Sequence, residues 1–457
     1  MPQSDDSGLI RSIRKWDLVA VTVNAVIGAG IFGLPSRVYG LAGSYSLPLF
    51  LLCAVFATMI VLCFAELGSR FTETGGPYLY TRDAFGSVAG FAVGWLIWIA
   101  RLTAFAANTS IMLSYLALFW PAVNVGLARA GVVCLVTVAL GLINVFGVRN
   151  VAVTINILTV GKLAPLTILV LAGLFYVNPH SFSFGPPPTA SAFSNAMLLL
   201  VYAYTGFEMA VIPGAEIANP RRNLPTAILI GIGVVAVFYV LIQIVCIGTL
   251  PSLSASDRPL ADAASRFLGV PGAALLSAGA VVSILGNLNV VMLSASRLPF
   301  AMAERGELPR ILALVNERFR TPHVAILLTS AIMAALTLSG TFLYAVTVST
   351  LSRLVVYAAT CAALPVLRNR VEAPPVAFRV PGGMFIWIVV LALTAWLLWN
   401  TTWREVRDTA IAGMIGLVFY ALCRKPAMSR SWVHLITKPG SKKRPGRNRV
   451  SLGEPPR

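Results

Sequence analysis

The sequence contains few charged residues for its length. Of its 457 residues only 11% are Asp, Glu, Lys or Arg, whereas a soluble domain usually has about 25%. A soluble surface needs more charge than this, and 57% of the residues are hydrophobic. The composition therefore argues against soluble globular, fibrous and disordered proteins alike.

Cysteine and histidine are also scarce. There are six cysteines and three histidines in the whole chain. The cysteines lie in or at the ends of apolar runs and form no C-x-x-C pair, so they are interpreted as packing residues. The histidines are scattered in loops and at segment ends. We therefore expect neither a disulfide framework nor a metal site, and no cofactor.

Long apolar runs are what the sequence does have. Residues 47–65 and 228–250 are close to the ~20 residues that cross a bilayer as an α-helix. The chain is therefore predicted to be an all-α membrane protein with about twelve transmembrane helices. The predicted spans are residues 17–40, 45–68, 88–118, 128–147, 151–177, 191–217, 225–250, 271–298, 322–339, 341–366, 384–402 and 408–424.

The distribution of basic residues predicts the orientation. The net charge is +18, and positive residues gather in cytoplasmic loops of membrane proteins. Placing the N-terminus inside puts 26 of the 35 Lys and Arg residues on the inner side and six outside. We predict a plasma-membrane protein with a cytoplasmic N-terminus (1–16) and a disordered basic cytoplasmic tail (425–457) that touches anionic membrane lipid. No nucleic-acid partner is expected.

Span one contains a glycine run at its centre. Residues 27–33 read IGAGIFG and are followed closely by Pro35. Each glycine weakens a helix by about 1 kcal/mol relative to Ala, and unwound backbone survives in hydrocarbon only against protein or a cavity. Close packing of small residues is the alternative. The nearby proline favours a broken helix. A dinucleotide-binding loop is excluded because no strand precedes the run.

Span six contains a second interruption and a buried acid. Residues 204–208 read YTGFE, and Glu208 lies near the middle of the span. A carboxylate at that depth is costly and indicates a functional site. The alternatives are a structural ion pair or a protonated, hydrogen-bonded glutamic acid.

The two interruptions begin two blocks of five spans. Breaks at corresponding places are typical of an inverted-repeat transporter. We therefore predict a first repeat over residues 17–177, a second over 191–366, broken helices one and six, and two further helices within 384–424. Half-helix N-termini would face an anionic group, and half-helix C-termini would face a cation.

Three other ionisable residues lie near mid-span: Arg101, Lys162 and Arg353. A desolvated lysine can exchange a proton near neutral pH, and snorkelling to an interface is disfavoured by the depth of Lys162. Arg101 either pairs with Glu208 or contacts substrate. Arg353 is predicted to brace the bundle, because it lies outside the pair of broken helices.

The motifs, in order along the chain, resemble the amino acid–polyamine–organocation (APC) superfamily, which has the leucine-transporter-type fold. The resemblance covers spans one to ten, and spans eleven and twelve match in number only. The matching segments are 27–32 (IGAGIF), 65–67 (AEL), 75–80 (GGPYLY), 161–166 (GKLAPL), 204–208 (YTGFE) with Glu216, 219–221 (NPR), 296–297 (SR) and 301–309 (AMAERGELP).

This resemblance implies an amino acid permease rather than an enzyme, working by alternating access. The bundle of spans one, two, six and seven would rock against spans three, four, eight and nine. The implied substrate-binding residues are Ile27, Ala29, Gly30, Ile31, Gly33, Arg101, Tyr204, Gly206, Phe207 and Glu208. Phe32, Tyr204 and Phe207 would act as gates, with ordinary packing as the alternative.

The resemblance also implies proton coupling. Proton-coupled members of the superfamily carry a lysine at the position that Lys162 matches, in place of a sodium site. Its nitrogen would face span-one carbonyls near Val26 and Ile27 and the hydroxyl of Ser283, and Glu208 would be a second proton carrier. Arg101 beside the pocket favours a neutral or acidic amino acid over a cationic one, because like charges repel at low dielectric.

Other functional classes are either compatible with the sequence or disfavoured by it. An amino acid exchanger and a non-transporting amino acid sensor are compatible with the same motifs. A sodium symporter is disfavoured by Lys162. A channel is disfavoured because no pore-lining rings are evident. No catalytic cluster or P-loop indicates an enzyme or a primary pump.

Overall fold

The computed structural model describes residues 14–71, 75–146, 151–211, 217–316, 318–319, 321–370 and 376–423, with only the backbone described at 151–160. The predicted basic tail and almost all of the predicted cytoplasmic N-terminus lie outside the described residues.

The described residues form α-helices joined by short 3₁₀ turns, with no β-strand among them. The helices are α1 (Lys15–Val26), α2 (Gly30–Ala42), α3 (Ser46–Arg70), α4 (Pro77–Phe85), α5 (Ser87–Leu116), α6 (Gly126–Phe146), α7 (Val151–Gly173), α8 (Ala190–Tyr204), α9 (Glu208–Val211), α10 (Pro220–Thr249), α11 (Pro259–Glu304), α12 (His323–Ser339), α13 (Phe342–Arg368), α14 (Met384–Trp399) and α15 (Trp403–Cys423).

The all-helical membrane architecture is confirmed at this level. Every predicted span overlaps at least one of these helices. Among the described residues, seven helical segments are long and apolar enough to cross a membrane, and four shorter ones are also apolar. The count of twelve crossings and the inverted repeat stay predictions.

Two sets of helices pack within themselves. In the first set α10 packs on α3 and α1, and α8 packs on α2 and α3. In the second set α5 packs on α11 and α12, and α6 packs on α12 and α11. The first set corresponds to predicted spans one, two, six and seven, and the second to spans three, four, eight and nine. α13 packs on α5 and also touches α3 and α8, so it lies where both sets meet.

The longest helix, α11, bends near its start. Gly269 has φ +64°, a left-handed conformation that glycine adopts without strain. The residues before it form a separate helical segment, and the predicted span eight begins just after it. The short helix α4 lies between spans two and three and packs on α5 and α13.

Candidate functional site

The chain leaves the helical path at both predicted places. Residues 27–29 separate α1 from α2, and residues 205–207 separate α8 from α9. The two breaks lie against each other, because a Cβ built on Gly206 would be 2.3 Å from the carbonyl oxygen of Ala25. Gly206 also has φ +118°. Only glycine fits this position, both because of the close approach and because of the backbone conformation.

One tyrosine links the two breaks. The hydroxyl of Tyr239, on α10, lies 3.0 Å from the carbonyl oxygen of Val26 and 3.0 Å from that of Ala203. These carbonyls belong to the ends of α1 and α8. Helix ends leave such carbonyls without an intrahelical partner, so a buried donor at this point stabilises both breaks.

A small cavity of about 30 Å³ lies at the breaks, and the space around it reaches about 370 Å³ when open solvent is included. Ala29, Gly30 and Gly206, all predicted to bind substrate, line it. The rest of the lining comes from six helices and both breaks and consists of Ala25, Val26, Gly28, Ala104, Asn108, Tyr202, Ala203, Thr205, Met209, Asn287, Val291 and Arg353.

A buried hydrogen-bond network forms one wall of the cavity. Tyr202 donates to Oδ1 of Asn108 at 2.6 Å, and Nδ2 of Asn108 donates to Oδ1 of Asn287 at 2.8 Å. The amide of Asn287 packs directly against Gly28. These three residues were not predicted from the sequence. Their signal was present, since Asn108 and Asn287 are polar residues in the middle of apolar spans.

Glu208 is buried and fully engaged. Its Oε1 accepts from Nη1 of Arg353 at 2.7 Å. Its Oε2 accepts from the hydroxyl of Tyr357 at 2.9 Å and from the backbone N–H of Gly206 at 2.9 Å. Arg101 was considered as a partner of Glu208, but the ion pair forms with Arg353 on α13, which was predicted only to brace the bundle and which also lines the cavity.

Arg101 lies one helical turn from Ala104, a cavity residue on the same face of α5. It is 1% exposed, and its Nη1 donates to Oγ of Ser294 at 2.7 Å. Its Nε and Nη2 are buried without a hydrogen-bond partner. Arg101 lies within charge–charge range of both Glu208 and Arg353.

Lys162 reaches the broken end of α1. Its Nζ donates to the carbonyl oxygens of Asn24 at 3.0 Å and Ile27 at 2.8 Å, and the residue is 1% exposed. The prediction named carbonyls near Val26 and Ile27, so the contacted turn is the expected one. Ser283 is also buried, but its hydroxyl has no hydrogen-bond partner in the structure. Its predicted part in proton coupling stays a prediction.

The remaining predicted site residues are buried around the cavity but do not line it. The Phe32 ring packs against Tyr115, and Phe207 packs against Phe64 and Tyr357. Tyr204 donates to the carbonyl oxygen of Phe50 and packs on Tyr239. Ile27 and Ile31 are core residues.

Gly33 borders a different cavity, of about 1050 Å³ including open solvent, with Arg37, Arg129 and Asp257 at its edge. No group of three or more potential metal ligands occurs in the part of the chain that the structure describes.

Comparison with known proteins places this arrangement in a family. Residues 13–420 match the family model described as "Amino acid permease". The Serine/threonine exchanger SteT of Bacillus subtilis is 27% identical over 93% of this chain and 99% of its own length. The Methylthioribose transporter of Bacillus subtilis is 26% identical over 93% of this chain and 96% of its own length. The Branched-chain amino acid permease BcaP of Bacillus subtilis is 25% identical over 92% of this chain and 94% of its own length.

The family and these relatives are transporters rather than enzymes. The family match and the apolar helices also agree on a multi-pass membrane protein. The match covers the two broken helices, the cavity between them and nearly all of the described helices. The chain belongs to the amino acid permease family of the APC superfamily.

Proposed function

We propose that this protein carries amino acids across the plasma membrane by alternating access, in symport with protons through Lys162. The observation that carries the proposal is the position of Lys162, a buried ammonium bonded to two carbonyls at the broken end of α1. The termini are proposed to be cytoplasmic, as the distribution of basic residues predicts.

The cavity suits the two charged ends of an amino acid. The first N–H groups of α2, which begins at Gly30, have no intrahelical partner and favour a carboxylate. The carbonyls of Val26 and Ala203 belong to lining residues, share the hydroxyl of Tyr239 as a donor, and favour an ammonium group. Both sets of groups come from the breaks, so binding requires the interrupted backbone.

Lys162 supports coupling because its charge state changes the electrostatic attraction that two carbonyls at the end of α1 receive, while the neutral amine still has two N–H donors for them. The protonated ammonium has three donors and uses two of them on Asn24 and Ile27. Loss of a proton removes positive charge and a donor at the end of α1, which itself contributes to the cavity. A proton on Lys162 and a substrate at the break therefore act on the same turn of backbone.

The two packed sets of helices are the proposed moving parts. The cavity is lined by residues from both sets, with Ala29 and Gly206 from one and Asn108 and Asn287 from the other. A relative rotation of the sets would open the cavity to one side and close it to the other.

Amino acid exchange is the second candidate. It is favoured by the similarity to the Serine/threonine exchanger SteT, which covers 99% of that protein's length. In this mode, an internal amino acid would drive the return of the carrier in place of a proton. The two modes use the same cavity and differ in what Lys162 does.

The experiment is uptake of labelled amino acids into proteoliposomes with three driving conditions: an inward proton gradient, an inward sodium gradient, and unlabelled amino acid inside. The variants are Lys162→Ala and, as a matched control, Lys15→Ala, which removes a lysine from the start of α1 away from the cavity. We expect proton-driven uptake by the wild type and Lys15→Ala and its loss in Lys162→Ala.

Each other outcome has a defined meaning. Uptake that requires internal amino acid and ignores the proton gradient would replace symport by exchange. Uptake driven only by sodium would refute coupling through Lys162. Binding of amino acids without flux under any condition would indicate a sensor, and neither binding nor flux would refute the proposed function altogether.

A further inference from the structure

The cluster beneath the cavity has more positive than negative charge. We define the floor cluster as Arg101 on α5, Glu208 on α9, Ser294 on α11 and Arg353 on α13. We infer from it that the substrate carries an acidic side chain, whose carboxylate binds the two arginines while its backbone groups bind the helix breaks. This inference rests on the proposed function and narrows its substrate class.

The floor cluster is one turn away from residues that line the cavity. On α5, Arg101 lies on the same face as Ala104 and Asn108, and on α11, Ser294 lies on the same face as Asn287 and Val291. Nη1 of Arg101 joins these two faces through its 2.7 Å bond to Ser294. Arg353 is itself a lining residue. Arg101 and Ser294 are not lining residues themselves, and a side chain extending from the breaks toward α5 and α11 would approach them one turn beyond the lining.

The floor cluster contains two guanidinium groups but only one carboxylate. Glu208 forms its ion pair with Arg353, and its remaining oxygen is used by Tyr357 and Gly206. The other buried carboxylates of the described residues, Glu66 and Glu307, pair with arginines elsewhere. Arginine does not lose its proton in proteins. One positive charge of the cluster is therefore uncompensated.

Unused donors show where an anion would bind. Nε and Nη2 of Arg101 and Nε of Arg353 are buried and have no hydrogen-bond partner. A buried, unpaired charge is costly, and a carboxylate that accepts from it offsets that cost. The hydroxyl of Ser294, which accepts from Nη1 of Arg101, is neutral and does not compensate the charge of the guanidinium group. A planar carboxylate matches the geometry of guanidinium donors better than any neutral side chain.

The floor cluster is expected to discriminate between amino acids that have nearly the same shape but differ in charge. Glutamate and glutamine have the same shape, as do aspartate and asparagine, and only the acids compensate the cluster. A hydrogen bond to a charged group predicts discrimination of roughly ten- to hundredfold between acid and amide. Cationic substrates are disfavoured by the same charge.

The test is competition in proteoliposomes: inhibition of labelled L-glutamate or L-aspartate uptake by each acid and by its amide, at fixed pH. We expect the wild type to prefer an acid over its amide by at least about tenfold. Arg101→Gln is expected to abolish that preference while retaining uptake of the amide. Arg101→Lys, which keeps the charge, is expected to keep most of the preference.

Arg370→Gln is the control, because Arg370 is an exposed arginine that pairs with Asp83 at the surface. The Arg370→Gln protein should prefer an acid over its amide as strongly as the wild type does. If Arg101→Gln does not fold, the acid-to-amide ratios of the wild type and of Arg101→Lys still test the inference. Transport of neutral amino acids that ignores the acids would overturn the inference and leave the proposed function standing. An acid-to-amide ratio unchanged in Arg101→Gln would overturn it as well.

Discussion

Glu66 and Glu208 are both buried glutamates that bind arginines, but their surroundings differ. Glu66 lies on the unbroken helix α3 and accepts from Arg70, from Arg368 and from the backbone N–H of Val380. It thereby joins α3 to the end of α13 and to the segment beyond. Glu208 begins the short helix after a break, and its partner Arg353 lines the cavity.

An excess of positive charge does not by itself identify a binding site. Two arginines surround each glutamate. At Glu66 both of them donate to the carboxylate, and none of the three residues lines the cavity. Near Glu208 one arginine donates to the carboxylate and the other, Arg101, keeps two unused donors. In the first cluster both arginines bind the carboxylate and hold helices together, although Nε of Arg70 has no hydrogen-bond partner. In the second, Arg101 makes no ion pair with Glu208 and lies beside a cavity.

Glu66→Gln is expected to have the largest effect on stability. It leaves Arg70, which is 5% exposed, without its acidic partner, and breaking a buried pair costs about 3–5 kcal/mol. The check is the apparent melting temperature of the purified protein in detergent. Uptake per folded molecule should stay near the wild-type rate, and a selective loss of uptake at normal stability would contradict the assignment.

Glu208→Gln should show the opposite pattern. Its stability loss is expected to be smaller, about 1–3 kcal/mol, because Arg353 lines a cavity that water can enter. Transport should nearly stop, because Arg353 and Gly206 both lose their ionised acceptor at the break. Melting curves and uptake measured on the same preparation test this. A larger fall in melting temperature than in Glu66→Gln would remove the contrast between the two sites.

Tyr357→Phe sharpens the contrast by removing one donor from Glu208. The lost bond to Oε2 is expected to cost about 1.5 kcal/mol, since Gly206 still donates to the same oxygen. Substrate affinity should weaken by less than in Glu208→Gln. An uptake concentration series for both variants provides the measurement, and equal losses would mean that the hydroxyl is essential to the cluster.

Arg370→Gln is expected to have the smallest effect on stability of these substitutions. Arg370 and Asp83 form an ion pair in which both side chains are more than a third exposed. Such pairs contribute about 0–1 kcal/mol and are screened by salt. The melting temperature should hardly change at low ionic strength and not at all in high salt. A loss comparable with that of Glu66→Gln would show that exposure does not separate these pairs.

The sequence predicted the helices and the breaks better than it predicted the hydrogen-bond and ion-pair partners of the buried polar side chains. Glycine runs and apolar lengths are local signals, and helices overlap every predicted span. Lys162 was expected near the end of α1 from a resemblance, and its nitrogen binds Asn24 and Ile27. The partner of Glu208 could not be predicted from local pattern, because Arg101 and Arg353 are both mid-span arginines.

Which arginine meets Glu208 depends on how α5 and α13 rotate when they pack. For the same reason Asn108 and Asn287 could not be predicted as cavity residues from the sequence. Each is one polar residue in an apolar helix, and their meeting across α5 and α11 exists only in the packed bundle. Depth in the membrane is readable from sequence, whereas the direction in which a side chain points around its helix is set by tertiary packing.

The hydroxyl of Tyr239 carries a single hydrogen, yet it lies equally close to the carbonyl oxygens of Val26 and Ala203. A hydroxyl hydrogen rotates to suit its surroundings. The wall of the cavity therefore has two arrangements of donors and acceptors that differ only in the rotation of one O–H bond, with no change in the backbone. An ammonium group that binds one carbonyl would direct the hydrogen to the other, and the carbonyl of Val26 accepts in addition from the backbone N–H of Gly28 at 2.7 Å.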